Sequence, residues 1–547
     1  MKIIHLFIKS VNEKKNFMPT LNWIGKDAVI NHDKEVPFRL LKKIKAHSVG
    51  TNSQNLIIHG DNLEALKALM PYYMGKIKCI YIDPPYNTGN ENWVYNDKVN
   101  SPKIKKWLGK VVGGESEDLC RHDKWLCMMY PRLKLLRDLL SEDGVIVISI
   151  DDNEQAHLRL LMDDIFGNNN LLLNGVVNRA SEIASNNIIS KHEYFIIYTK
   201  NNSNFALGGN ERYTISRGTV GNEDQTMPVI VFPKGLKCTN VKDGIYNKPR
   251  QIIGSKENID SLDPIIVKDG HLYKNVRLKA RWRSSNDMRK FFSNDCNPTV
   301  AKINGIIEEI YLDGDRFMPQ IKKKVTAKIP SLLLKNKRGS KDLELLDLQE
   351  KFDYPKSMDY IKRIISFIAS SGDIVLDSFA GSGTTGHAVL DLNKEDGGNR
   401  KFILVEMEEK VIKDITTKRI AKAIDKYGYE GGFEYCELDK PLFDENGKID
   451  EECSFEQLAT YIYFIESNTN LDKKSISKNY IGNYNNTEYY LLYKEKGKNI
   501  LTKDFLKSIN SNKNKKIVYA DKCLIDEKNL IKHNIIFKQI PYEIKVF

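Results

Sequence analysis

Asp83-Pro84-Pro85-Tyr86 follows the apolar run Ile77-Lys78-Cys79-Ile80-Tyr81-Ile82 and leads into Asn87-Thr88-Gly89. Two consecutive prolines lack backbone N–H donors and have φ fixed, so the chain must leave the strand in a rigid, extended turn. That turn presents the Asp83 carboxylate and the Pro84 carbonyl as acceptors and the Tyr86 ring as a flat surface. Such a set can hold an exocyclic amino group by both hydrogens while its ring lies on the tyrosine. A nucleobase taken out of its helix has that shape.

A second constellation lies far down the chain. Asp373-Ile374-Val375-Leu376-Asp377 runs into Ser378-Phe379-Ala380-Gly381-Ser382-Gly383-Thr384-Thr385-Gly386; a helix from Thr384 to about Asn393 and the strand Lys401-Phe402-Ile403-Leu404-Val405-Glu406 follow. Strand, glycine turn, helix and a second strand ending in a carboxylate make up an adenosine-cofactor site. A P-loop would need Gly-Lys-Ser/Thr, and no lysine stands there. A nicotinamide enzyme needs glycines spaced for a pyrophosphate, whereas here they are shifted and an aromatic precedes them. S-adenosylmethionine remains, with the glycines admitting its amino-acid end and Glu406 accepting from the ribose hydroxyls. An ordinary tight βα turn is the plain alternative.

The elements that must position these residues follow an α/β rhythm. Asn55-Leu56-Ile57-Ile58-His59-Gly60-Asp61-Asn62 reads as a strand and polar turn, and Leu63, Leu66, Leu69 and Met70 then repeat at helical spacing. Asp61 or Asn62 can cap that helix, contact a ligand, or do both. Residues 87 to about 122 form a long polar loop, read as a flap over the site. A helix from Asp123 carries Leu126, Met129, Leu133, Leu136 and Leu140 inside and stops at Gly144. Val145 to Ile150 is a buried strand, followed by Asp151-Asp152-Asn153, another helix, and strands at about 172–178 and 193–199. From about 205 to 345 the rhythm gives way to short strands and basic clusters: Arg281-Trp282-Arg283, Lys322-Lys323-Lys324, Lys335 and Lys337-Arg338. Each cluster alone reads as solvated surface; grouped, they suit a surface that follows phosphates and reads base edges. Ile361, Ile364, Ile365 and Ile368 restart helical packing, with Gly372 at its end.

Composition sets the frame. The 547 residues allow two to four domains, and the net charge of +12 leans toward a polyanionic partner. The 8 cysteines form no C-x-x-C pair. They read as reduced thiols, with no metal implied and a cytoplasmic location expected. No apolar run is long enough to span a membrane, and the start is a poor signal peptide. Met18 is a second candidate start.

The two core motifs, with the catalytic one first and a long variable segment between them, resemble amino-group DNA methyltransferases of the β-group order. Asn55 to Asp61, Ile80 to Gly89, His122-Asp123-Lys124-Trp125-Leu126, Ser149 to Asn153, Glu395 to Phe402 and the closing Phe537 to Ile544 resemble the modification (Mod) subunits of type III restriction-modification systems. The resemblance implies a Rossmann-like mixed seven-stranded α/β methyltransferase sheet with helices on both faces, an inserted target recognition domain and a small C-terminal domain. The expected boundaries are 1–50 for an N-terminal extension, 51–204 for the catalytic half of the core, 205–345 for the insert, 346–430 for the cofactor half and 431–547 for a C-terminal domain that dimerises or docks a partner. Asp83, Pro84, Pro85 and Tyr86 are then catalytic. Asp61, Asn62, Asp377, Phe379, Gly381, Gly383, Thr384 and Glu406 bind S-adenosylmethionine. Asp61 would lie near its adenine, and Lys356 joins this set through Phe352-Asp353-Tyr354-Pro355-Lys356-Ser357, where Ser357 departs from the family's usual proline. Aspartate rather than serine before Pro-Pro-Tyr points to adenine N6. The implied partners are double-stranded DNA, a second copy of the chain and a helicase-nuclease (Res) subunit. The alternatives are an N4-cytosine or RNA amino-methyltransferase, or a non-catalytic DNA recognition subunit.

Overall fold

The computed structural model describes residues 21–50, 53–88, 118–184, 189–204, 211–221, 226–302, 305–326, 328–334, 338–349, 352–443, 449–450, 453–493, 499–509 and 512–540. Most of the expected flap (89–117), Met18, Lys335, Lys337 and the last residues from 541 lie outside these. The chain divides into two compact units, one of residues 1–206 with 330–547 and one of Leu207–Ile329.

The main sheet of the first unit has ten strands among the described residues. Its strands are β1 (Arg39–Lys43), β2 (Leu56–His59), β3 (Ile77–Ile82), β4 (Leu140–Ile150), β5 (Leu171–Ala184), β6 (Ile189–Thr199), β7 (Leu332–Leu333), β8 (Ile374–Asp377), β9 (Lys401–Glu406) and β10 (Glu434–Pro441). They lie in the order β1-β10-β2-β9-β8-β3-β4-β6-β5-β7. The expected seven strands are the run from β2 to β5 in that order, extended by β10 and β1 on one side and by β7 on the other. β2, β9, β8, β3 and β4 are mutually parallel, and β6 runs antiparallel between β4 and β5. The parallel strands are largely apolar because both faces are covered, and β3 is buried at every position, Lys78 included. The covering helices are α1 (Asn62–Tyr73), α2 (Asp118–Leu139), α3 (Gln155–Phe166), α4 (Met358–Ile368), α5 (Thr384–Asp396) and α6 (Thr417–Tyr427). On α4 the predicted stripe Ile361, Ile364, Ile365 and Ile368 is buried, each side chain contributing roughly 1.5–3 kcal/mol.

One boundary differs from the pattern reading. Leu140 fits the apolar stripe of α2, yet it opens β4, where it pairs with Ile77, and a register shift follows before Cys79 meets Val145. Gly144 therefore lies inside the strand and does not end the helix.

The order in which strands are laid across the sheet reverses at its centre. β8 leads outward to β9, β3 leads the other way to β4, and β8 and β3 are neighbours through Val375↔Cys79 and Leu376↔Ile80. Ligands of open parallel sheets bind outside the carboxyl ends of the strands at such a reversal. Asp83 and the turn after Asp377 leave the sheet side by side there.

In the second unit the strands Glu211–Arg217, Met318–Thr326 and Ile306–Asp313 pair antiparallel over a core of Phe232, Trp282, Phe291 and Phe317. Successive side chains of a strand point to opposite faces, so Lys322-Lys323-Lys324 do not form one patch: Lys322 lies over the Tyr213 ring, 4.9 Å from its centroid, while Lys323 turns to Asp287 at 3.7 Å. Trp282 is buried between its two arginines. After Ile329 the chain is back in the main sheet by β7, which pairs with β5.

Helix α7 (Phe455–Ser467) opens on a capping box of Ser454 and Gln457 and buries Tyr461, Ile462, Tyr463 and Phe464. Phe38 meets Tyr461 and Phe464 at ring distances of 5.0 and 6.1 Å, which joins the C-terminal region to the main core.

Candidate active site

The turn after β3 is held from below. Trp125 on α2 donates its indole N–H to the Pro85 carbonyl at 2.8 Å, and Trp125 is fully buried. The Tyr86 hydroxyl donates to Asp83 Oδ1 at 2.8 Å. Asn87 then takes φ of 59°, a conformation that asparagine tolerates better than most residues.

Lys356 is the residue whose place differs most from the reading of the sequence. Expected at the cofactor, its ammonium stands in the Asp83–Tyr86 turn, 3.3 Å from Asp83 Oδ1 and 2.9 Å from Glu193 Oε2. It also donates to the Tyr86 hydroxyl and lies 4.8 Å from the centroid of the Tyr86 ring. Burial alone would lower the lysine's pKa, but the two carboxylates outweigh it and raise it. The Asp83 carboxyl is pushed up by burial and by Glu193, and pulled back by Lys356. The site is thus an acid–base–acid triplet in which one ammonium is shared by two carboxylates.

Glu193 carried no local signal in the sequence. Its topology accounts for its place: β6 runs antiparallel to β4, so the start of β6 lies at the edge where β3 and β4 end.

The neighbouring turn is built differently. Glu406, at the end of β9, accepts from the backbone amides of Gly381, Met407 and Glu408, each at 2.9 Å. Burial raises its pKa and those amides draw it back. Asp377 accepts from the Phe379 amide at 3.0 Å and from the Thr385 hydroxyl, and burial pushes its carboxyl up to about 7. Thr416 donates to the Gly381 carbonyl at 2.6 Å. Gly381 and Gly383 have φ of 48° and 77°, and a Cβ at Gly381 would come within 3.1 Å of the Phe352 ring. Thr384 is buried, donates to the Lys356 carbonyl at 3.3 Å and accepts from Arg419 at 2.8 Å.

Asp61 and Asn62 brace this turn. Asp61 caps α1, accepting from the amides of Leu63 and Glu64 at 2.9 and 3.2 Å, and pairs with Arg132 at 3.2 Å. Asn62 is buried; it donates to the Ser378 carbonyl at 3.2 Å and accepts from Arg132. Arg132 was not legible as a partner, because it stands seventy positions away on α2.

The residues fit an adenosine cofactor with an amino-acid end. Two glycines in left-handed conformation bring bare backbone to the sheet edge, and the N-terminus of α5 opens beside them. Glu406 spends three of its acceptor positions on backbone, so its first role is to shape the turn; Oε2, with one bond, keeps capacity for a hydroxyl.

The DNA methylase model of the N6/N4 methyltransferases matches residues 77–418, from the start of β3 into α6. The chain belongs to the N6/N4 DNA methylase family. Among its relatives, the methylase is 30% identical over 493 residues to the type III restriction-modification enzyme EcoP15I Mod subunit of Escherichia coli, covering 80% of this chain and 74% of that one. It is 31% identical over 469 residues to the EcoPI Mod subunit of Escherichia phage P1, covering 78% and 71%. The type II methyltransferase M.KpnI of Klebsiella pneumoniae is 29% identical over 376 residues, covering 68% of this chain and 85% of that one. The type III Mod resemblance therefore holds over most of the methylase, and S-adenosylmethionine is the methyl donor that this membership brings with it. No described helix is long and apolar enough to cross a membrane.

Proposed function

We propose that this methylase transfers the methyl group of S-adenosylmethionine to the exocyclic N6 of an adenine flipped out of double-stranded DNA. The observation that carries this reading is the juxtaposition of Asp83 and Tyr86 with the glycine turn on neighbouring strands β3 and β8. An amino nitrogen attached to adenine is a poor nucleophile because its lone pair is delocalised into the ring. Asp83 and the Pro84 carbonyl, accepting its two hydrogens, localise that pair and stabilise the positive charge that develops as the N–C bond forms. Asp83 is also placed to take the proton that the methylated nitrogen sheds. Tyr86 offers its ring for stacking, worth roughly 1–3 kcal/mol, against the few kcal/mol of unstacking. Bound cofactor supplies an activated methyl, so alignment accounts for much of the remaining rate. Its amino-acid end would be held by the Phe379–Thr384 turn and its ribose by Glu406, with Asp61 and Asn62 behind.

Lys356 has to yield for this chemistry. Its ammonium stands at the hydroxyl edge of Tyr86 and on Asp83, where the target amino group would go. Glu193 gives it a second anchor to withdraw to.

The same reading makes the chain the modification and recognition subunit of a type III system. The unit Leu207–Ile329 serves as the DNA-reading surface, with Lys322 on Tyr213 as one contact point, and the C-terminal region pairs with a second copy or a helicase-nuclease partner in the cytoplasm. The deciding experiment incubates the chain with tritiated S-adenosylmethionine and unmethylated DNA, then separates the nucleosides. Label in N6-methyladenine is expected. Label in N4-methylcytosine would replace the base assignment, and no transfer to any DNA would leave a recognition subunit.

A further inference from the structure

Behind the catalytic turn lies a polar cluster that the chemistry above does not use. Glu154, immediately before α3, is fully buried. Its Oε1 accepts from the Asn87 side-chain amide and pairs with His122 Nδ1 at 2.6 Å; its Oε2 meets His157 Nδ1 at 3.0 Å. The two imidazoles face each other at 4.6 Å between ring centres. One carboxylate thus joins the loop after β3, α2 and α3.

Two histidines and a glutamate with ligand atoms within 4.8 Å of one another could hold a metal ion. The spacing argues for hydrogen bonds instead. Two ligands at roughly 2.0 Å on a tetrahedral zinc stand about 3.3 Å apart, whereas His122 Nδ1 and Glu154 Oε1 are at 2.6 Å, inside charge-assisted hydrogen-bond range. A buried carboxylate that lost its donors would be costly, so its partners are locked together. Asn87 also donates to the Arg121 carbonyl at 3.4 Å, and it directly follows Tyr86. His122 and Trp125 are three residues apart on α2, which puts them on one face of the helix. From that face Trp125 holds Pro85 directly and His122 holds Asn87 through Glu154.

We propose that Glu154 is a positioning residue for methyl transfer: through the Asn87 side chain it fixes the exit of the Asp83–Tyr86 turn and so aims the acceptors at the target amino group. This rests on the methyltransferase reading. Misplacing a reacting group by about an ångström costs on the order of 100-fold, which sets the scale of the effect.

The test compares Glu154→Ala, Glu154→Gln, Asn87→Ala and the Asn87/Glu154 double variant in tritium transfer to DNA, with cofactor affinity measured by calorimetry. Glu154→Ala and Asn87→Ala are each expected to lower kcat by at least tenfold with KM for DNA and cofactor affinity within about twofold. The double variant should be no worse than the poorer single, and Glu154→Gln, which keeps an acceptor for Asn87, should recover most of the rate. If Glu154→Ala fails to fold, Asn87→Ala and Glu154→Gln still decide. Independent, multiplying losses would overturn the proposal, as would unchanged turnover in Asn87→Ala. One equivalent of zinc by elemental analysis, whose removal reproduces the Glu154→Ala loss, would overturn it in favour of a metal centre. A wild-type chain that transfers no methyl would count against the methyltransferase reading instead, while the coupling of Asn87 to Glu154 in melting temperature would still show whether Glu154 holds Asn87.

Discussion

At the end of β3 the Asp83 carboxylate is met by side chains, Tyr86 and Lys356, with Glu193 beyond. On the next two strands, the Glu406 carboxylate is taken up by backbone amides and the Asp377 carboxyl by one amide and the Thr385 hydroxyl. The first arrangement has acceptors that an incoming group can claim by displacing the Lys356 ammonium. The second spends most of its acceptors on fixing the course of a turn. Substitutions in the two regions should therefore fail differently.

The largest contrast is expected from Asp83→Ala. Losing the acceptor that localises the amino lone pair should cost about 100- to 1000-fold in kcat, the range seen when one such electrostatic partner is removed. Cofactor affinity, measured by calorimetry, should stay within a few-fold. A variant with near-normal turnover would remove Asp83 from the chemistry.

Glu406→Gln should show the opposite split. Its amide nitrogen must face at least one backbone N–H that the carboxylate now accepts, so the Gly381 turn loosens. Hydrogen bonds to charged groups contribute roughly 1.5–3 kcal/mol, and the loss of one predicts about tenfold weaker cofactor binding, with kcat at saturating cofactor nearly kept. A fall in kcat alone would mean that the two turns are not separate in role.

The contrast was only half visible in the sequence. Apolar strands ending in Asp83, Asp377 and Glu406 were legible because a buried parallel strand must be apolar and must end where its first polar group reaches the edge. The glycines were legible because only they accept the turn's φ values at low cost. The partners that give each carboxylate its role were not: Arg132, Glu193 and Glu154 stand on other elements and have no local pattern of their own. Lys356 was legible as important but its partners Asp83 and Glu193 were not, since proximity in sequence to the cofactor turn says nothing about which neighbour a four-carbon side chain reaches. The lysines at 322–324 carried a usable signal, strand alternation, that a count of charges conceals.

Lys356→Met sharpens the catalytic side of the comparison. The ammonium holds the Asp83 carboxyl down against burial and Glu193. Without it the Asp83 pKa rises further, and the ionised acceptor forms only at higher pH. The acid limb of the kcat/KM–pH profile, which reports the free enzyme, should move upward, with activity recovered at alkaline pH. An unmoved limb would show that Lys356 and Asp83 do not share charge in the free enzyme.

The smallest effect is expected from Asp377→Asn, and it tests the shaping side. Burial raises this carboxyl from 3.8 to about 7 in the folded chain. Between those values the unfolded chain has released the proton and the folded chain still holds it, so folding binds protons and stability falls as pH rises through that window. Above about 7 both states are ionised and the contribution is flat. Asparagine keeps the acceptor for Phe379 without the proton, so the variant's melting temperature should fall less steeply between pH 4 and 7 than that of the wild type. A residual slope should remain from Glu154, whose carboxyl burial also raises to about 7. Parallel curves for the two proteins would mean that Asp377 is ionised in the folded state, held by its hydrogen bonds more strongly than burial opposes it.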